Sequence, residues 1–285
     1  MLRFHQVPEL PTQQTQATQV TQVTQQTQVT QVTQQTMAPN KPTCCILFSG
    51  GSDSSLTAYR MSLEFDEVHL LTFKHFGQTG IENSRNSFAI LNEKFPGKFK
   101  HVIQDVSDMF QRIYSRRYLC NLLKYRTLQL QFTCFACQAC FHINTIIYCL
   151  KHNIHDVRDG ANTEYEEASP MQIPMVKKEI KKFYAEYGIT HDSPVYEEHK
   201  KKRSDYQLYE LGLRPQPNIK DDIEMYKAYQ GYCRFMPGGV LFLNYWKRCK
   251  GFPEEVQMRM LEHWLEEVQF FKKLIDKQMS SCLQQ

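Results

Sequence analysis

The chain has 285 residues, 41% hydrophobic and 22% charged, with a formal net charge of +4. That length supports a sizeable core in one domain with a small appended one, and so modest a charge does not by itself single out nucleic acid as a partner. No apolar run approaches the roughly 18 residues of a spanning helix, and the N-terminus lacks a basic-then-apolar leader. The expectation is a cytoplasmic protein without a membrane partner.

The first forty residues read differently from the rest. Residues 12–36 are almost entirely Thr and Gln with scattered Val, and Gln19–Thr27 (QVTQVTQQT) recurs residue for residue as Gln28–Thr36. Such a segment cannot bury enough apolar surface to offset its ordering entropy, so 1–40 is expected to be a disordered tail. Met37, directly after the repeat, offers an alternative start.

From Cys44 the pattern alternates. Cys44–Phe48 is a short apolar run, expected as a buried strand, and Ser54–Glu64 as a helix. Glu67–Phe73 and Lys100–Val106 read as strands, with a helix over Asn83–Lys94 between them. Asp108–Leu130 is mostly helical in pattern, His142–His152 is a further helix, and His155–Asp159 a strand running into Gly160. Alternating strands and helices imply an α/β fold, a parallel sheet with helices on both faces and right-handed crossovers. Beyond Pro170 only helices are expected: Pro174–Tyr187, Ser204–Leu211, Asp221–Tyr229 and a long amphipathic one over Pro253–Met279. The organisation expected is an α/β domain over 41–170 and a helical C-terminal region over 171–285.

The junction of the first strand and first helix carries Ser49-Gly50-Gly51-Ser52-Asp53-Ser54. Two glycines let the backbone turn sharply and approach a ligand closely. Converging amides and the positive end of the helix then favour an anion, with serine hydroxyls as further donors. Asp53 would repel phosphate and is better used to hold Mg2+ or to cap the helix. Neither the Walker pattern nor dinucleotide glycine spacing is present.

These six residues resemble the SGGxDS signature of the PP-loop ATP pyrophosphatase superfamily, placed after the first strand as in that family. Val157–Asn162 (VRDGAN) resembles its later G-x-N segment, at the strand end where sheet ligands gather. The resemblance covers roughly Cys44 to Pro170. It implies a Rossmann-like fold of the HUP type and an enzyme that cleaves ATP to AMP and pyrophosphate while adenylating a substrate. ATP would contact Ser49, Gly50, Gly51, Ser52, Asp53, Ser54, Asp159, Gly160 and Asn162, with Asp53 and Ser54 catalytic and Mg2+ as cofactor.

Ten cysteines in a chain with no export leader point to metal or redox chemistry rather than disulfides. Cys134, Cys137 and Cys140 form C-x2-C-x2-C, a spacing that lets thiolates converge on one metal from a turn or a first helical turn. Three thiolates with an open position suit an iron–sulfur cluster (4Fe-4S); a fourth ligand from Cys120, Cys149, Cys233 or Cys249 suits structural Zn2+. Cys44 and Cys45 read as strand core. A cysteine-bearing segment before a helix and the G-x-N strand is similar to tRNA thiolation branches of the superfamily and to the sulfur-insertion enzyme of the lactate racemase cofactor. The 7-cyano-7-deazaguanine synthases also pair SGGxDS with zinc-binding cysteines, but later in the chain.

Lys177–Lys182 and His199–Arg203 are local basic runs of the kind that hold an RNA backbone, with Tyr206 and Tyr209 nearby. The partner expected is thus a small molecule or tRNA. The function expected is an ATP-dependent adenylating enzyme in sulfur transfer or in tRNA or nucleobase modification. The alternatives are an amide- or nitrile-forming ligase of the deazaguanine type and an ATP-binding sensor without turnover. All of them require the diglycine bend to leave room for an anion.

Overall fold

The structure is a computed structural model and describes residues 42–116, 118–125, 129–163, 169–197, 203–217, 227–234 and 254–282. The Thr/Gln repeat, Met37, residues 199–202, most of the helix expected from Asp221, and Cys249 lie outside them.

Five strands form one parallel sheet in the order β4-β2-β1-β5-β6: β1 (Thr43–Leu47), β2 (Glu67–Lys74), β4 (Phe99–Asp105), β5 (Asp156–Arg158) and β6 (Thr190–Asp192). β1 lies at the centre, with Ile46 opposite Leu70 of β2 and Arg158 of β5. Its side chains alternate between two cores, as the two-residue period of a strand requires. Cys44 and Ile46 face the side covered by α1 (Ser52–Glu64), α2 (Ser84–Lys94) and α7 (Ser204–Glu210), through Leu56, Leu91 and Leu208. Cys45 faces the larger core with Leu71, Phe73 and Val157. There α3 (Ser107–Arg116), α5 (Gln129–His152), α6 (Pro174–Ala185) and α8 (Glu254–Cys282) contribute Phe110, Ile143, Phe183 and Trp264. The α/β class, with helices on both faces, is the one expected.

Several elements differ from the sequence pattern. The sheet does not end before Pro170: β6 pairs in parallel with β5, Val157 opposite His191. At three residues β6 is too short for periodicity to register. The helical stretch expected over Asp108–Leu130 comprises α3, α4 (Tyr118–Tyr125) and the start of α5, and α5 runs unbroken through the cysteines to His152. Phe132–His152 is therefore long and apolar enough to span a bilayer, contrary to the sequence expectation. In the fold it is a core helix, with Phe135, Ala139, Ile143 and Ile146 inside the larger cluster. Arg158, an unusual strand residue, turns its guanidinium to Asp156 at 3.1 Å.

α8 lays Met260, Trp264, Phe271, Leu274 and Ile275 into the core. Trp264 packs against Phe135, Phe183 and Phe271 with ring centroids 5.6–6.1 Å apart. Trp264→Ala is expected to lower unfolding free energy by about 3–5 kcal/mol, measured as a fall in the urea midpoint.

Candidate nucleotide site

The strand order places the site. The chain leaves β1 for β2 and β4 on one side, then returns to β5 on the other. The C-terminal ends of β1 and β5 thus flank a topological switch point, where ligands of open α/β sheets gather. The loop after β1 is Phe48–Gly51, and that after β5 is Asp159–Asn162.

The first loop is a left-handed bend. Gly50 has φ +82°, which other residues rarely adopt. Its carbonyl accepts hydrogen bonds from Ser87 Oγ (2.6 Å), Ser55 Oγ (3.2 Å) and Arg214 Nη2 (2.6 Å). α1 follows at Ser52, with Ser55 N–H donating to Gly51 O at 2.9 Å. The opening amides of a helix have no intrahelical partners, so they are available to an anion. Gly51 N–H donates to Ser49 Oγ at 3.2 Å, and the Ser49 and Ser54 hydroxyls lie 3.2 Å apart.

The second loop touches the first through backbone. A Cβ on Gly160 would stand 2.6 Å from Ser54 N and 2.9 Å from Asp53 C, so only glycine fits. Asn162 Nδ2 donates to Asp53 Oδ2 at 2.8 Å, and Ser204 Oγ to Asp53 Oδ1 at 2.5 Å. Two neutral donors from distant parts of the chain therefore fix the Asp53 carboxylate at the mouth of the loop. A carboxylate so placed suits Mg2+, whose ligands are oxygens.

Asp159 points elsewhere. Its carboxylate turns inward to His191 Nε2 (3.0 Å), Ser193 Oγ (2.5 Å) and Ala161 N–H (3.0 Å). Burial works to raise its pKa, but His191, Lys177 and Ser193 outweigh it and hold the carboxyl well below the usual range. It shapes the second loop from beneath. The structure thus brings together Ser49–Ser54, Gly160 and Asn162, and leaves the Asp159 side chain out of the mouth.

Three neighbours of the site escaped the sequence reading. Ser204 and Arg214 come from beyond α6 and belong to no local motif. The segment over residues 227–234 lies across the bend: a Cβ on Gly50 would strike the Tyr229 carbonyl, and one on Gly51 the Gln230 carboxamide. Ser49 Oγ donates to Gln230 Oε1 at 3.2 Å. The bend itself is not collapsed, but this segment covers part of it.

The cysteines do not gather as their spacing suggested. They stand on a continuous helix rather than a turn, where six residues separate Cys134 from Cys140 by about 9 Å along the axis. Cys140 is buried, its thiol donating to Val106 O at 3.7 Å and accepting from Asn144 Nδ2 at 3.5 Å. Burial pushes its pKa far up. Among the described residues no three His, Cys, Asp or Glu side chains are grouped to hold a metal ion. The Cys134, Cys137 and Cys140 trio does not fit one. Cys137 has other company. His75 accepts from Gly77 N–H at Nδ1 (3.1 Å), so Nε2 carries the proton and donates to Cys137 Sγ at 3.2 Å. β3 (Gln78–Thr79) pairs with β7 (Tyr232–Cys233), setting Cys233 opposite Gln78. The surrounding protein raises Cys134 to about 11 and Cys137 further, and the charge of Cys233 adds to both.

The basic run over Lys177–Lys182 is not a uniform cationic face. Lys177 is buried with Nζ 3.2 Å from the Tyr196 ring centre, Lys181 pairs with Asp192 at 2.6 Å, and Lys182 with Glu179 at 2.7 Å. Tyr206 and Tyr209 are exposed.

The chain has an α/β fold: a parallel sheet whose central strand passes through the Ser49–Ser54 bend into the first helix. No family model and no curated protein sequence matches it. Among solved structures it is similar to the U34-tRNA thiolase NcsA from Methanococcus maripaludis with its 4Fe-4S cluster, at 12% identity and a TM-score of 0.39 over 83% of this chain and 73% of that one. It is also similar to a predicted subunit of tRNA methyltransferase from Methanocaldococcus jannaschii, at 16% and 0.37 over 67% and 96%. A third likeness is to the NMN synthetase from Francisella tularensis, at 12% and 0.31 over 67% and 84%.

Gly160→Ala forces two backbones apart and is expected to cost about 1–3 kcal/mol together with nucleotide affinity, read by thermal melting with and without ATP. Burial holds His75 and His101 down at about 4 and His142 at about 3, against an ordinary 6.5. Below pH 6.5 the unfolded chain takes up protons that the folded chain refuses. Their contribution to stability is full above that pH and is lost as pH falls towards 4. The urea midpoint is expected to drop from pH 7 to pH 5, and less steeply in His142→Gln.

Proposed function

We propose that this chain is an ATP-dependent adenylating enzyme of the PP-loop type, acting on tRNA or a small molecule in sulfur transfer or a related modification. The observation that carries the reading is the fixed bend. The Gly50 carbonyl is held by three donors, and the carboxylate of Asp53, in the first turn of α1, is anchored by two more.

In this reading the triphosphate lies along Ser49–Ser54. A substrate oxygen attacks the α-phosphorus, the bond to the bridging α–β oxygen breaks, and its electron pair leaves with pyrophosphate. The opening amides of α1 and the hydroxyls of Ser49, Ser52 and Ser54 stabilise the departing charge. Asp53 would hold Mg2+, which would supply further neutralisation of phosphate charge. A sulfur or nitrogen nucleophile then bonds to the activated carbon, and AMP departs with the electron pair of the carbon–oxygen bond.

For the thiol chemistry we favour Cys134, Cys137 and Cys233 over a set containing Cys140. The support is the β3–β7 pairing, which brings Cys233 beside the turn whose His75 touches Cys137. Gathering them around one centre needs the three thiols to turn toward one another. Anaerobic purification separates the metals: iron with acid-labile sulfide and visible absorbance for a cluster, colourless stoichiometric zinc for a structural ion.

A second reading, nucleotide binding without turnover, draws on one observation, the Tyr229–Gln230 cover over Gly50 and Gly51. The two readings part on products. With ATP labelled at the α-phosphate and a pool of tRNA, the enzyme reading expects AMP and pyrophosphate. ADP and phosphate would reject it, and tight ATP binding with no product on any substrate would favour the second. Asp53→Asn is expected to slow AMP formation by about 10²-fold while the fold melts as before.

A further inference from the structure

We infer that Arg214 is a positioning residue of the phosphate loop: by fixing the Gly50–Gly51 peptide from behind, it holds the Gly51 amide, which donates to Ser49 Oγ at 3.2 Å, on the side where a polyphosphate would bind and could take over that hydrogen bond. The inference rests on the nucleotide reading above and deepens it.

The Gly50 carbonyl and the Gly51 N–H belong to the same unit, and in a trans peptide they point in opposite directions. The described chain holds no cis peptide. Whatever holds the carbonyl therefore sets the amide. The carbonyl takes Arg214 Nη2 at 2.6 Å and Ser87 Oγ at 2.6 Å, with Ser55 Oγ at 3.2 Å. Arg214 Nη2 also donates to Ser87 Oγ (2.6 Å) and Ser55 Oγ (3.2 Å), so one guanidinium nitrogen ties the whole cluster. Without it, the two serine hydroxyls alone oppose a flip of the peptide at the left-handed Gly50 (φ +82°), since glycine has little preference between the two signs of φ.

The charge on Arg214 needs an answer as well. Burial lowers its pKa only to about 10, so it stays cationic at neutral pH. Its guanidinium stacks on the Tyr229 ring, 3.5 Å from the centroid. Nη1 is buried without a hydrogen-bond partner, and among the described residues no carboxylate pairs with the group. A half-buried cation with one unsatisfied nitrogen and no carboxylate beside it is costly to a fold. A tri- or pyrophosphate on the far side of the Gly50–Gly51 peptide is the counter-charge that relieves that cost. Lysine would supply the charge but not the planar fork.

The test is titration calorimetry on the full chain with three probes: Mg-ATP, inorganic pyrophosphate and adenosine. Arg214→Gln is expected to weaken ATP and pyrophosphate tenfold or more while adenosine changes by less than twofold. Guanidinium ion at low millimolar concentration is expected to restore part of the loss in Arg214→Ala. Ser87→Ala, which removes another donor from the same carbonyl, should show the same selectivity. If Arg214→Gln fails to fold, Arg214→Lys is judged on the same ratio. Equal loss for adenosine and ATP, or no loss for either, overturns the positioning role. A wild-type chain that binds neither ATP nor pyrophosphate overturns the nucleotide reading itself, a result separate from the variants.

Discussion

The arrangement of the site depends on one backbone contact, the approach of Gly160 to the first turn of α1. Two loops from strands on either side of the switch point meet there with no side chain between them. This contact brings Asn162 within reach of Asp53 and sets the height of the second loop against the first. Beneath it, the buried Asp159–His191–Ser193 group fixes the same loop to β6. A buried carboxylate with several partners is costly to disturb, because removing any partner leaves charge in a low-dielectric interior. The second loop is thus a rigid wall rather than a flexible edge.

The sequence showed clearly those features that are both local and periodic. β1, β2 and β4 are strands of five to eight residues, and α1, α2, α6 and α8 fall within three residues of where the pattern put them. The diglycine bend was legible because conformational need and residue identity coincide at Gly50. β6 was not, since three residues alternating exposed, buried, exposed carry almost no signal. Ser204 and Arg214 were invisible for another reason. They reach the site across 151 and 164 residues of chain, as ordinary polar side chains whose role is set by what they touch.

The cysteines show how spacing misleads when the backbone conformation is assumed. C-x2-C-x2-C converges on a turn but spirals on a helix, where each step of three residues turns the side chain by about 60° short of a full circle. Cys134 is exposed, Cys137 half-buried and Cys140 in the core. Inward rotation explains why Cys140 joins the hydrophobic cluster, as unpaired cysteines often do. Asp159 is a similar case: the residue type suited a ligand contact, and its carboxylate meets His191 and Ser193 instead.

The segment over residues 227–234 connects these two stories. Asn83 and Asn86 hold its start through the Lys227 and Ala228 carbonyls, both at 2.7 Å. Its middle lies on the diglycine bend, and Gly231 admits the close passage of Ile81. Its end pairs with β3, where Arg234 N–H donates to Gly77 O at 2.9 Å beside the His75–Cys137 contact. Eight residues thus span from the phosphate loop to the thiols, anchored mostly by backbone groups. The cover over the bend and the thiol neighbourhood are thus joined by one short segment, in which only Gly231 and Tyr232 separate Gln230 from Cys233.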